Sequence, residues 1–163
     1  MYKIRLSSDE DKEQIINIFN HYIENSIAAY PQKPLPVLAW ELIKGKCIQG
    51  TVYVAVDSSD NVVGFALLKS FMEIDTFAHT ADLGYFIDPA HTGKGLGKLL
   101  LAELESKARE FGIKTLVANV SSQNPGSIAF HERTGFTRCG ELPNVGDKRG
   151  GSFGLIWFYK NIG

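Results

Sequence analysis

Gly93, Gly95 and Gly97 alternate with Lys94 and Leu96, and Lys98 follows directly. Such a run lets the backbone curl until successive N–H groups converge, and a helix starting there adds its partial positive charge. The ligand that suits this cradle is a phosphate or a pyrophosphate, with Lys94 and Lys98 contributing charge. The alternative is a glycine-rich turn without a ligand, which would carry the entropic cost of three glycines to no purpose. Two common phosphate loops do not fit. The nucleoside-triphosphate loop spaces its glycines one residue further apart than Gly93 and Gly97, and Leu99 stands where its magnesium-binding hydroxyl belongs. The dinucleotide fingerprint is G-x-G-x-x-G at the first strand–helix turn, whereas G-x-G-x-G occurs here in mid-chain.

The histidines and cysteines point to no metal. His21, His79 and His91 have no ligand spacing with one another or with Cys47 and Cys139. The two cysteines form neither a CxxC pair nor a disulfide framework, and read as reduced thiols of a cytoplasmic protein. Cys139, on a late strand, is expected in the core.

The elements that must position the glycine run follow from hydrophobic periodicity. Residues 2–6 alternate as a short strand. Ser8 or Asp9 caps a helix carrying the stripe Ile15, Ile16, Ile18, Phe19, Tyr22 and Ile23. Leu38, Trp40, Leu42 and Ile43 mark a second, shorter helix. Residues 51–56 and 62–68 form a hairpin about the turn at 58–61. Residues 81–87 make a strand stopped by Asp88-Pro89, and the glycine run leads into a helix bearing Leu100, Leu101, Leu104 and Ala108. A strand at 115–120, a helix opened by Pro125, and strands at 136–142 and 153–159 complete the chain. The expected order is β-α-α-β-β-β-α-β-α-β-β, one α/β (α+β) domain over 1–163. Early hairpins followed by βαβ units imply a mixed, mostly antiparallel, twisted central sheet with helices on both faces. The net charge of −1 argues against a broad nucleic-acid or anionic-membrane surface. The apolar runs are too short for a membrane span, and the N-terminus shows no signal-peptide core.

With its loop and surroundings taken together, the chain resembles the GNAT acetyltransferases. Their coenzyme A loop places Gln or Arg three residues before G-x-G or G-x-A; Gly95 and Gly97 match, and Thr92 replaces the Gln or Arg. Residues 124–136 match the family's N-x-x-A/S-x-x-L/F-Y/H-x-x-x-G-F through Asn124, Ser127, Phe130, His131, Gly135 and Phe136. Within the family the chain is similar to the phosphinothricin and methionine-sulfone N-acetyltransferase branch. The matching segments are Ile4-Arg5, residues 18–26, His131-Glu132, and Gly146-Asp147-Lys148-Arg149-Gly150.

The resemblance implies acetyl-CoA as co-substrate and direct transfer to the primary amine of a small molecule, amino-acid-like or other, with no metal. It also implies a bulge that splays the strand ending Tyr85-Phe86-Ile87 from its neighbour, leaving a gap for the pantetheine arm. Gly93, Lys94, Gly95, Leu96, Gly97 and Lys98 would hold the pyrophosphate. Asn124 would reach the coenzyme, and Arg133 is a candidate for its phosphates. Asp82 stands where relatives carry a general-base glutamate, one methylene shorter. His131 stands where many carry a tyrosine acid, although a packing or coenzyme-contact role is the preferred reading of a lone histidine there. A homodimer is implied as well.

The resemblance weakens toward the acceptor. The branch places a cation in the loop before the Asp82 strand, but Met72, Glu73 and Ile74 occupy that stretch here. Two acids, Glu73 and Asp75, in place of a cation suit a more basic amine than an amino acid. Tyr30 and Phe153 are candidate walls of the acceptor site. The competing functions are a catalytically weakened CoA-binding module, motivated by Asp82 and Thr92, and a protein N-acetyltransferase.

Overall fold

The strands bury alternate residues on opposite faces of one sheet, and two separate cores result. The computed structural model covers all 163 residues. In chain order it contains β1 (Lys3–Leu6), α1 (Lys12–Asn25), α2 (Ala39–Gly45), β2 (Cys47–Val56) and β3 (Val62–Ser70). There follow β4 (Thr80–Ile87), α3 (Leu96–Glu110), β5 (Thr115–Ser121), α4 (Pro125–Arg133), β6 (Thr137–Lys148) and β7 (Gly151–Asn161). This is the expected order of elements. Val52, Val54 and Val56 of β2 face Ile15, Ile16 and Ile18 of α1 and Trp40 of α2. Tyr53 and Ala55 of the same strand turn to the other face, where Leu100, Leu101 and Leu104 of α3 pack. No helix is long and apolar enough to cross a membrane.

The sheet order is β1-β2-β3-β4-β5-β7-β6. Every pairing is antiparallel except β4 with β5. That parallel ladder runs only from Thr80↔Thr115 to Asp82↔Val117. Beyond it β4 stays on β3 as far as Gly64↔Ile87, while β5 stays on β7 as far as Ser121↔Leu155. The two strands part, and the sheet is split from Leu83 onward. The expected bulge in β4 is absent from its ladder with β3, whose register is unbroken. The register shifts lie instead in the β2–β3 and β6–β7 ladders.

Three local expectations are corrected. β2 begins at Cys47, ahead of Thr51, because Gln49 and Gly50 at positive φ form an irregularity within the strand. Ser8 does not cap α1 directly. Its N–H donates to Asp11 Oδ2 at 2.7 Å, over a 3-10 turn at Asp9–Asp11 that precedes the helix. Cys139 is exposed, because β6 is the outermost strand and its register shifts between Arg138 and Gly140.

Candidate functional site

The glycine run joins β4 to α3 through a short turn. Asp88 opens it by accepting from the Ala90 N–H at 2.8 Å. Gly93 and Gly95 have φ of 72° and 82°, and no atom lies within 4 Å of where a Cβ would stand on either. α3 starts at Leu96, so its first N–H groups, which have no partner within the helix, open onto this bend. Leu96 is buried and anchors the loop by its side chain, leaving only its backbone to a ligand. At Gly97 a Cβ would come within 3.2 Å of the Phe130 ring, so the absence of a side chain lets α4 approach α3. Lys98 and Arg133 line a cavity of about 920 Å³ beside the loop, together with Lys160, whose ammonium is paired with Glu105 on the same lining. Lys94 does not line it; its Nζ donates back to the Ala90 carbonyl at 3.1 Å. Positive φ at the glycines, free helix N–H groups and a basic rim fit a pyrophosphate-bearing coenzyme.

A second cavity, of about 650 Å³, continues from the loop into the split sheet. One wall is β4 from Leu83 to Ile87, including Tyr85 and Phe86, and the facing wall is β5 from Ala118 to Ser121. Asn124 and His131 of the α4 region and residues 28–31 border it, and Lys69 stands at its far end. Each facing strand is bonded on one side only, so an extended amide-bearing arm can pair with the free edge of β4.

Asp82 lies on the last paired rung of β4. Its Oδ2 is 3.2 Å from Lys69 Nζ, directly across the β3–β4 ladder. Its Oδ1 is the one buried side-chain polar atom without a hydrogen-bond partner. Burial raises the carboxyl pKa above the usual aspartate value, and the Lys69 charge opposes that rise. Tyr30 is near enough to respond: burial, and then the charge of Asp82, push its phenol up to about 12. Its hydroxyl donates to Asn119 Oδ1 at 3.0 Å.

His131 is buried at 3% exposure beneath this cavity. Nδ1 donates to the Ser127 carbonyl at 2.7 Å, which leaves Nε2 to accept from the Tyr85 hydroxyl. The ring stacks on Phe158, and burial pulls its pKa below the ordinary histidine value. A neutral ring with both nitrogens engaged is placed to hold Tyr85. Asn124 accepts from the Ser127 N–H at 3.2 Å and caps α4.

Several residues do not reach the cleft. Met72, Glu73 and Ile74 are exposed on the β3–β4 connection and line neither cavity, because Phe71 folds back edge-to-face onto Phe77 there. Phe153 is buried behind Tyr30, its ring stacked at 5.8 Å. The contrast of acids for a cation therefore fails as an argument about the acceptor, since Glu73 lies outside and Lys69 lies inside. Sequence reasoning missed Lys69 and Asn119. No local pattern marks them: Lys69 enters through its register opposite Asp82 on β3, and Asn119 through its place on β5 beyond the last rung shared with β4.

Comparison with known proteins agrees with this geometry. Residues 15–136 match the model of the acetyltransferase (GNAT) family. An L-methionine sulfoximine/L-methionine sulfone acetyltransferase of Salmonella typhimurium is 32% identical over 150 residues, covering 90% of this chain and 86% of the relative. The L-amino acid N-acyltransferase MnaT of Escherichia coli is 30% identical, with the same coverage. A phosphinothricin acetyltransferase from Sinorhizobium meliloti, solved in complex with acetyl-CoA, superposes with a TM-score of 0.91 at 26% identity. It matches 99% of this chain and 89% of its own. The chain belongs to the GNAT acetyltransferase family.

Proposed function

We propose that the protein transfers the acetyl group of acetyl-CoA directly to the primary amine of a small, amino-acid-like molecule. The observation that carries this reading is the split between β4 and β5, which joins the glycine loop at one end to Lys69 at the other, with Asp82 paired to that lysine just behind the wall. Bound acetyl-CoA supplies the activated thioester. The loop N–H groups and the basic rim hold its phosphates, and the free edge of β4 aligns the pantetheine arm. Asp82, buried behind the cavity wall with one oxygen unpartnered, accepts a proton from the incoming ammonium through a water. Lys69 offers its charge to a carboxylate on the same acceptor, so the pair suits a zwitterion. Tyr30 and Asn119 border the acceptor end. His131 supports Tyr85 and transfers no proton itself.

The test is a free-thiol release assay over a panel of amines that includes neutral amino acids, their carboxamides and simple alkylamines. Amino acids should be taken in preference to the carboxamides. Equal turnover of both would remove the carboxylate from recognition, and no turnover of any amine would leave a coenzyme-binding module. Acetyl-CoA should raise the melting temperature in either case, by mass action.

We also propose a homodimer through β6. This strand ends the sheet, and residues 137–145 are all exposed, with Leu142 and Val145 among them. Sedimentation equilibrium should give twice the chain mass, reverting to one on Leu142→Lys; a monomeric native protein would end this reading.

A further inference from the structure

The segment Gly146-Asp147-Lys148-Arg149-Gly150 forms the tip of the β6–β7 hairpin and takes no part in the chemistry above. Its lysine is buried, yet no carboxylate pairs with it. Lys148 Nζ donates instead to two backbone carbonyls, Ile23 at 2.7 Å and Ala29 at 2.6 Å. Arg149 Nη1 donates to the Glu24 carbonyl at 2.6 Å. In return, Gln32 Nε2 donates to the Asp147 carbonyl at 2.7 Å.

These acceptors have a common origin. Ile23 and Glu24 belong to the last turn of α1, where carbonyls have no partner within the helix and carry its partial negative charge. The helix has no basic residue of its own in that turn. The hairpin tip supplies the cations. Lys148 does one thing more than Arg149: it ties the helix end to Ala29, on the segment that borders the acceptor end of the cleft. The same hairpin grips that segment a second time. Tyr30 stacks on Phe153 of β7, and Phe153 lies so close over Gly146 that a Cβ there would stand 2.4 Å from its ring.

A helix cap alone would need neither burial of an ammonium nor its second bond. Burying a charge without a counter-ion is costly, and an exposed residue such as Arg149 serves the helix end without it. We propose that Lys148 is a positioning residue that fixes residues 28–31 against the end of α1, and so sets the width of the acceptor end of the cleft. This rests on the reading of that end as the acceptor site.

The experiment compares Lys148→Met, which keeps the apolar stem, with Arg149→Ala, which removes only the contact to the helix end. In Lys148→Met the KM of an amine accepted by the native enzyme should rise about tenfold or more, the scale of a misplaced wall. Its kcat should stay within about threefold, and acetyl-CoA affinity should not change. Hydrogen exchange over residues 26–32 should quicken at least about tenfold, with β4 and β5 unaffected. Arg149→Ala should move neither reading. Unchanged exchange and KM in a folded Lys148→Met protein would overturn the proposal. So would equal effects of the two variants, or a joint loss of kcat and acetyl-CoA affinity, which mark a capping or general structural role. Should Lys148→Met not fold, Lys148→Arg carries the test, since its longer, forked head must displace Ala29. Unaltered KM and exchange there would be equally decisive. If the native enzyme turns over no amine, the acceptor reading falls, and the exchange comparison still decides whether Lys148 fixes this wall.

Discussion

Lys69 and Asp82 face each other on the rung of the β3–β4 ladder beside which the sheet divides, with 3.2 Å between Nζ and Oδ2. β4 still pairs with β5 at Asp82 and no longer does so at Leu83. The carboxylate thus stands beside the root of the cleft without lining it, with one oxygen paired to the lysine and the other buried without a partner.

A base in this position must be ionised to accept a proton. Asp82→Asn should therefore lower the rate about 10²-fold or more at neutral pH, within the range for general acid–base catalysis. The loss should shrink as pH rises and free amine forms unaided. Asp82→Glu should retain activity. The pH–rate profiles of the three proteins on one amine check this, and a full-rate Asp82→Asn enzyme would remove Asp82 from the mechanism.

Lys69 determines where that profile falls. Burial raises the Asp82 pKa, and the charge and hydrogen bond of Lys69 lower it more than the Leu83 backbone does, so Lys69→Met should remove most of the opposition to the upward effect. The acid limb of the rate profile should move to higher pH. An unmoved limb would mean that Asp82 does not govern it.

Gly97 keeps α4 close to the coenzyme loop. Gly97→Val would drive atoms into Phe130, already 3.2 Å from a single Cβ, and block approach to the loop. Acetyl-CoA should bind at least about tenfold more weakly, on the order of 1.4 kcal/mol. Calorimetric titration of the folded variant provides the number, and native affinity would dissociate the loop from coenzyme binding.

His131 should be a neutral ring carrying its proton on Nδ1 at pH 7, because that atom donates to Ser127 and burial lowers the pKa. Two-dimensional ¹⁵N–¹H spectra of the ring report the tautomer directly. His131→Phe should strand the Tyr85 hydroxyl and destabilise the fold by roughly 1–3 kcal/mol. A charged ring at pH 7 would return His131 to the list of proton donors.

Acid stability should depend on Arg5 and Asp11. Arg5 holds the buried carboxylate through both terminal guanidinium nitrogens, Nη1 and Nη2, at 2.8 and 2.9 Å, and its hydrogen bonds draw the Asp11 pKa below 3.8. A carboxyl depressed in the folded state adds stability that is complete above its unfolded value and fades as pH falls through the folded one. Asp11→Asn should lose about 1.5–3 kcal/mol at pH 7, and its deficit should narrow below pH 3.8. Urea melts at a series of pH values test the slope.

The sequence displayed most of the elements, because periodicity is written locally. The turn after β2 is an example: Asp57 Oδ1 accepts from the N–H groups of Ser59 and Asn61, which is short-range chemistry. Relations between strands were less visible. Cys139 lies on a strand and cysteines are usually buried, but its strand lies at the rim of the sheet. Lys69 became a site residue only through its register with Asp82, and Met72 and Ile74 were lost from the site because their loop turns outward. The glycine loop was legible because its function resides in consecutive backbone groups. The acceptor end was not, since it is assembled from α1, β3, β4, β5 and a hairpin tip.

The bond from Lys148 also bears on when the molecule acquires its properties. Ile23 precedes Lys148 by 125 residues and Ala29 by 119. Closing so long a loop is entropically slow, and on the ribosome the donor does not exist until more than a hundred residues beyond α1 have been made. The nascent α1 must leave its terminal carbonyls to water for that whole interval. β4 and α3, adjacent in sequence, can meanwhile meet around the glycine bend. Competence to hold the coenzyme should therefore mature before discrimination among acceptors. In pulse-labelled refolding, protection over residues 26–32 should lag behind protection in α3.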